Sequence, residues 1–174
     1  MPISYIFLVA MSLVPLLIGL SVEEAHQNFE CDTFLAPLLK SQEFCRSQSE
    51  HVVDACVVFS YDYEYVMPFL LHHLNIGFRK IRIYNNDGAV SWFNHPAITC
   101  LVAAKLVTIQ PWYGVGVMVK GINHCQKIIH HHSKKLPKSN VWMAPFDIDE
   151  YVVMHKETCI NTLVSTRKAP GMRS

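Results

Sequence analysis

No two of the six cysteines are spaced Cys-x-x-Cys, so a zinc site has no support. Charge of one sign is scarce as well. Fifteen Lys and Arg stand against 14 Asp and Glu, a formal net charge of +1. A nucleic-acid surface needs a basic stripe, and that balance supplies none. Charged residues of either sign are only 17% of the chain, against 51% hydrophobic, which excludes a disordered chain and predicts a packed core. The 174 residues suit one domain. The one local cluster of bases, Lys134, Lys135 and Lys138, is too small for an electrostatic footprint and reads as a solvated loop.

The N-terminus lacks charge altogether. Ile3 to Leu20 is almost wholly apolar, near the minimum length that spans a bilayer. Two readings stand. Residues 1–21 are a cleaved signal peptide, with Gly19 and Ser21 as small residues near the cut, or an uncleaved single-pass anchor of type II. No Lys or Arg precedes the stretch to set its orientation. Both readings put the chain in the secretory pathway, at the Golgi membrane or secreted. An even count of cysteines there permits disulfides. Cys31 and Cys45 share a polar stretch and are the expected pair. Cys56 and Cys125 lie in apolar patterns and are expected as buried thiols.

Residues 22–50 are polar with little periodicity and read as a stem or lead-in to a domain at 51–174. Val52 to Phe59 has the length and valine content of a buried strand. Val66, Phe69, Leu70, His73 and Leu74 then recur at helical spacing, with Pro68 read as first-turn and Gly77 as the C-terminal cap. Lys80 to Tyr84 alternates as a second strand, and Asn85-Asn86-Asp87-Gly88 is a turn. Trp92 to Ala104 fits no single period, with a short helix as the reading. Leu106 to Ile109 is a third strand, closed by Pro111. Val115, Met118, Val119, Ile122, Cys125 and Ile129 mark the apolar face of a helix, with Lys120, His124, Lys127 and His131 opposite. Val141 to Phe146 is a fourth strand and runs directly into Asp147-Ile148-Asp149-Glu150. The alternation predicts an α/β fold with a mostly parallel sheet flanked by helices.

In such sheets ligands bind beyond the C-terminal strand ends. The polar clusters at 61–64, 85–87 and 147–150 all follow strands and would gather on one edge. Asp147 and Asp149 are two apart, so continued strand geometry would point both carboxylates the same way. Paired carboxylates at the end of a buried strand repel unless a cation compensates. Their oxygens suit Mg²⁺ or Mn²⁺, which typically bridge carboxylates and substrate phosphates. The chemistry that follows is a divalent metal holding a diphosphate while a sugar carbon becomes oxocarbenium-like. The other histidines and aromatics carry less. Three histidines in a row, His130 to His132, cannot converge on one ion from a helix. His72 and His73 read as structural hydrogen-bonding groups, and Trp112 and Tyr113 as packing.

These residues also carry a family resemblance. Tyr61 to Asn86, YDYEYVMPFLLHHLNIGFRKIRIYNN, resembles the first block of glycosyltransferase family 92 and family 2-like enzymes. Glu64, His73, Gly77, Tyr84 and Asn86 fill its positions, and Asn85 stands where an aspartate is usual. Asp62-Tyr63-Glu64 replaces the family's Lys-Asn-Glu. Trp142 to Val152, WMAPFDIDEYV, resembles its aromatic-led strand with an Asp-x-Asp-Glu-aromatic motif, and Asn123-His124-Cys125 resembles an Asn-x-Cys element between the blocks. The resemblance spans about residues 52 to 155. It implies a GT-A, Rossmann-like fold and sugar transfer from a nucleotide-sugar donor, often a UDP-sugar, to a glycan or glycoprotein acceptor. It implies Asp147 and Asp149 at the metal and diphosphate, and Glu64, Asn85, Asn86 and Asp87 near the nucleotide. The acceptor site and usual carboxylate base of such enzymes lie after the Asp-x-Asp motif, so the expected domain is incomplete and no catalytic base is assigned. Two alternatives stand beside it. One is a non-catalytic secretory protein that keeps the donor-binding fold. The other is a phosphatase of the haloacid dehalogenase type, which wants a small hydroxyl residue where Tyr151 stands.

Overall fold

The computed structural model describes residues 29–87, 94–133 and 141–166. The apolar segment 3–20 and the lysines at 134, 135 and 138 lie outside the described residues. The element order is α1 (Cys31–Gln48), β1 (Val52–Phe59), α2 (Tyr63–Asn75), β2 (Lys80–Asn85), α3 (Pro96–Ala103), β3 (Val107–Pro111), α4 (Val117–Ser133), β4 (Val141–Phe146) and α5 (Ile160–Ser165). The predicted α/β class is observed: all strands are parallel, in the order β3-β2-β1-β4.

That order fixes where the helices go. The chain steps outward from β1 to β2 to β3, then returns to the far side of β1 as β4. Right-handed crossovers therefore put α2 and α3 on one face and α4 on the other. The packing agrees. Val53, Ala55, Val57, Ile81, Ile83 and Val107 share one buried cluster with Val66, Phe69, Leu70 and Leu74 of α2 and Ile98 and Leu101 of α3. The opposite face has a small cluster of Cys56, Tyr84, Cys125 and Ile129.

The helix α2 keeps its five predicted buried positions. Pro68 sits in its interior rather than its first turn. Its end is a Schellman motif: Phe78 N–H donates to His73 C=O at 3.0 Å and Gly77 N–H to Leu74 C=O at 3.2 Å. Gly77 has φ +96°, and a Cβ there would stand 2.7 Å from Cys45 Cβ. Two independent constraints thus demand glycine.

Three expectations are corrected. Residues 31–48 are not a lead-in but a helix docked on the core, because Leu35, Leu38, Gln42 and Cys45 fall on one face. The Gln42 carboxamide donates to Leu74 C=O and Phe78 C=O, covering the end of α2. The cysteine pairing is also different. Cys31 joins Cys100, Cys45 joins Cys159 and Cys56 joins Cys125. Cys31 and Cys45 occupy opposite ends of one rigid helix, which keeps them apart, whereas Cys56 on β1 faces Cys125 on α4. Finally, Val115, Met118 and Val119 are exposed. The first turns of α4 overhang the C-terminal edge of the sheet, and among its described residues Gly121, Cys125 and Ile129 are the buried positions. Gly121 is where α4 comes closest: a Cβ there would lie 3.0 Å from Val58 Cγ2 and 3.4 Å from Trp112 Nε1. Among the described residues no helix is long and apolar enough to cross a membrane.

Candidate metal and diphosphate site

The strand order reverses between β1 and β4, and a crevice opens at such a switch point beyond the strand ends. Here it measures about 160 Å³, walled by Val58 of β1, Met118 and Ile122 of α4, and Pro145, Asp147 and Glu150 at the end of β4. The acidic segment shapes its rim. The strand stops at Phe146, and Asp147 to Glu150 form a turn closed by Glu150 N–H donating to Asp147 C=O at 3.1 Å. The Glu150 carboxylate accepts from Asp147 N–H, also at 3.1 Å. Ile148 is buried in the main core and anchors the turn, which leaves Asp147 and Asp149 exposed on either side of it. The expectation of continued strand geometry is therefore corrected. A turn, not the two-residue pleat, presents the carboxylates.

Asp147 and Glu150 face the crevice. Asp149 is exposed beside it and is not part of its lining. Its charge, after burial and Tyr65, helps to push the Tyr151 hydroxyl above its ordinary pKa. Tyr151 packs its ring on Phe69, His72 and His73 of α2. His73 is fully buried and its Nδ1 donates to Phe69 C=O at 2.9 Å. Burial lowers its pKa to about 4, against the opposing pull of the Phe69 carbonyl, with His72 also lowering it. His72 Nε2 bonds Val152 C=O at 2.9 Å. Both histidines thus hold the segment after the acidic turn against α2, the structural role expected of them.

The remaining predicted residues divide. Glu64 is exposed in the first turn of α2, where a carboxylate complements the helix dipole, and that turn follows the C-terminal end of β1. Asn85 is buried, and its carboxamide is spent on its own loop. Its Nδ2 donates to Asp87 C=O at 2.6 Å and its Oδ1 accepts from Asp87 N–H at 3.1 Å. Asp87 is buried as well, and Asn86 N–H donates to Phe59 C=O at 2.8 Å. This clamp sets the β2 loop beside β1, about two strand spacings, roughly 10 Å, from the β4 turn. Among the described residues of the loop, Asn86 alone is partly exposed.

Sequence reasoning missed the crevice wall from α4, because Met118 and Ile122 read as core. It also missed Asp54 within the apolar β1 run. Asp54 is fully buried and accepts from Arg79 Nε and Nη2 at 2.8 Å each and from Arg82 Nη2 at 3.2 Å. The strand register offers a signal: Asp54 pairs with Lys80 on β2, next to both arginines.

Among the described residues no group of three or more His, Cys, Asp or Glu side chains is placed to hold a metal. Mg²⁺ and Mn²⁺ are commonly held by one or two protein carboxylates, with phosphate oxygens and water completing the shell. Set against family models, curated proteins and solved structures, the chain matches none.

Proposed function

We propose that this chain is a GT-A-type glycosyltransferase unit that binds a nucleotide-sugar, a UDP-sugar by preference, and moves its sugar to a glycan or glycoprotein acceptor. The observation that carries the reading is the acidic turn at the switch point, where Asp147 and Glu150 line a crevice between β1 and β4. Asp147 and Asp149 would hold Mn²⁺ or Mg²⁺. When bound, that ion would neutralise charge on the departing nucleoside diphosphate. The protein's own part is positioning. Ile148 anchors the turn and the Glu150 carboxylate on Asp147 N–H rigidifies it; Asn86 and Glu64, both beyond C-terminal strand ends, would serve the nucleoside. Three disulfides among six cysteines suit an oxidising compartment and so a Golgi or secreted location, with residues 3–20 as anchor or signal.

Thermal denaturation tests the reading. UDP with Mn²⁺ should raise the melting temperature through preferential binding to the folded state, and Asp149→Ala should abolish the rise. Absence of a shift with every nucleotide tried would sink the donor-site assignment.

A further inference from the structure

A second cavity lies on the sheet face that α4 covers, but away from the switch point. It occupies about 370 Å³ over β2 and β3, at the lower end of small-molecule sites. Strand register builds its floor: Arg82 stands opposite Thr108, and Tyr84 opposite Gln110. Ile128 of α4 forms one wall.

The floor carries an unbalanced charge. Arg82 is only 8% exposed, and one of its terminal nitrogens bonds Asp54. Asp54 already takes two bonds from Arg79, so one carboxylate serves two guanidinium groups. The Nε of Arg82 is buried and has no hydrogen-bond partner. A buried guanidinium N–H without an acceptor is costly, and buried charge is normally paired. Lys80 adds to the imbalance. Its ammonium is held below the ordinary lysine range by burial, then by Arg82, Arg79 and Lys105, with Asp54 alone acting against them. No acidic side chain lines the cavity among the described residues. Thr108 and Gln110 supply neutral hydrogen-bonding groups beside Arg82. The Tyr84 hydroxyl is engaged by His124 Nδ1 at 3.1 Å, which fixes the wall between them.

We propose that this cavity binds a compact oxyanion, a phosphate or carboxylate carried by a small ligand, with Arg82 as its charged anchor and Thr108 and Gln110 as its polar flanks. The site is separate from the switch-point crevice and does not depend on the reading given to it. The anion would bond the part of the Arg82 guanidinium that lines the cavity and offset the positive charge that Asp54 leaves unbalanced.

Calorimetric titration of the full chain with inorganic phosphate, and in a second arm with malonate, tests this at constant ionic strength in chloride. Asp149→Ala serves as a background in which the acidic turn has lost one of its carboxylates. Saturable binding is expected in both wild type and Asp149→Ala. Arg82→Gln should weaken it at least about tenfold, the loss of one charge-assisted hydrogen bond. Gln110→Glu, at an exposed position that leaves the fold intact, should weaken it as much by placing a carboxylate beside the anion, and it decides the matter if Arg82→Gln does not fold. Phosphate binding without malonate binding assigns the ligand group as a phosphate; binding of both assigns the wider oxyanion class. The proposal fails if neither anion binds, if chloride competes equally, if Gln110→Glu binds as wild type, or if Asp149→Ala removes the binding.

Discussion

On one face of the sheet, Val53, Ala55, Val57, Ile81 and Ile83 lie in a single cluster with residues of α1, α2, α3 and α5. On the other, among the described residues, Cys56 and Tyr84 lie under α4 and Trp112. The thick face is held by interdigitated apolar side chains. The thin face relies on a disulfide, on the Tyr84–His124 hydrogen bond, and on a glycine that lets α4 approach. The crevice and the cavity over β2 and β3 both lie where α4 leaves the sheet uncovered. A single crossing helix leaves strand ends and strand faces accessible, and a four-helix layer does not.

The largest effect is expected on the thick face. Phe69→Ala should cost roughly 3–5 kcal/mol in urea unfolding, since Phe69 is fully buried against His73 and Phe146. A cost below about 1 kcal/mol would mean that this face is not the main source of stability. Next, replacing Cys56 and Cys125 together by alanine should cost about 2–4 kcal/mol. It should also speed amide exchange in α4 far more than in α2. Equal acceleration in both helices would erase the distinction between the faces.

A pH effect comes third. His73 has a folded pKa of about 4 against an ordinary value of 6.5, so the unfolded chain takes up a proton that the folded chain refuses. Stability should therefore be unaffected above about pH 6.5, fall as pH drops through the window, and level off below about 4. The loss amounts to at most roughly 3 kcal/mol. His73→Phe should remove most of that slope in equilibrium unfolding followed against pH, and an unchanged slope would assign the acid lability to other groups. The smallest effect is Gly121→Val. Overpacking against Val58 and Trp112 should cost about 1–3 kcal/mol and fall on the thin face alone, measured as local exchange in α4.

The strands were the most legible part of the sequence. Val52 to Phe59 is bounded as its apolar run suggests, because a strand buried on both faces needs no alternation, and the partly buried edge strand Val141 to Phe146 is bounded as predicted too. The stripe of α2 was legible for a similar reason: five apolar or weakly polar positions repeat at helical spacing. The helix α1 was hidden by Pro37 in its interior and by Gln42 among its buried positions. Six cysteines allow 15 pairings, and only the sheet order brings Cys56 to Cys125 and Cys45 to Cys159. For the site, the acidic turn was visible as a pattern after a strand. Its geometry was not, because Ile148 turns inward and ends the pleat. The role of Asn85 was hidden too, since an Asx clamp and a ligand contact use the same residue type.

The central claim is that the acidic turn at the switch point holds a divalent ion and a nucleoside diphosphate. Calorimetric titration of UDP with and without Mn²⁺, on wild type and on Asp147→Asn, tests it most directly. Tight binding of UDP that requires Mn²⁺ in wild type, and that loses its Mn²⁺ dependence in Asp147→Asn, is the predicted result. UDP binding that is equal with and without Mn²⁺, or absent altogether, would contradict it.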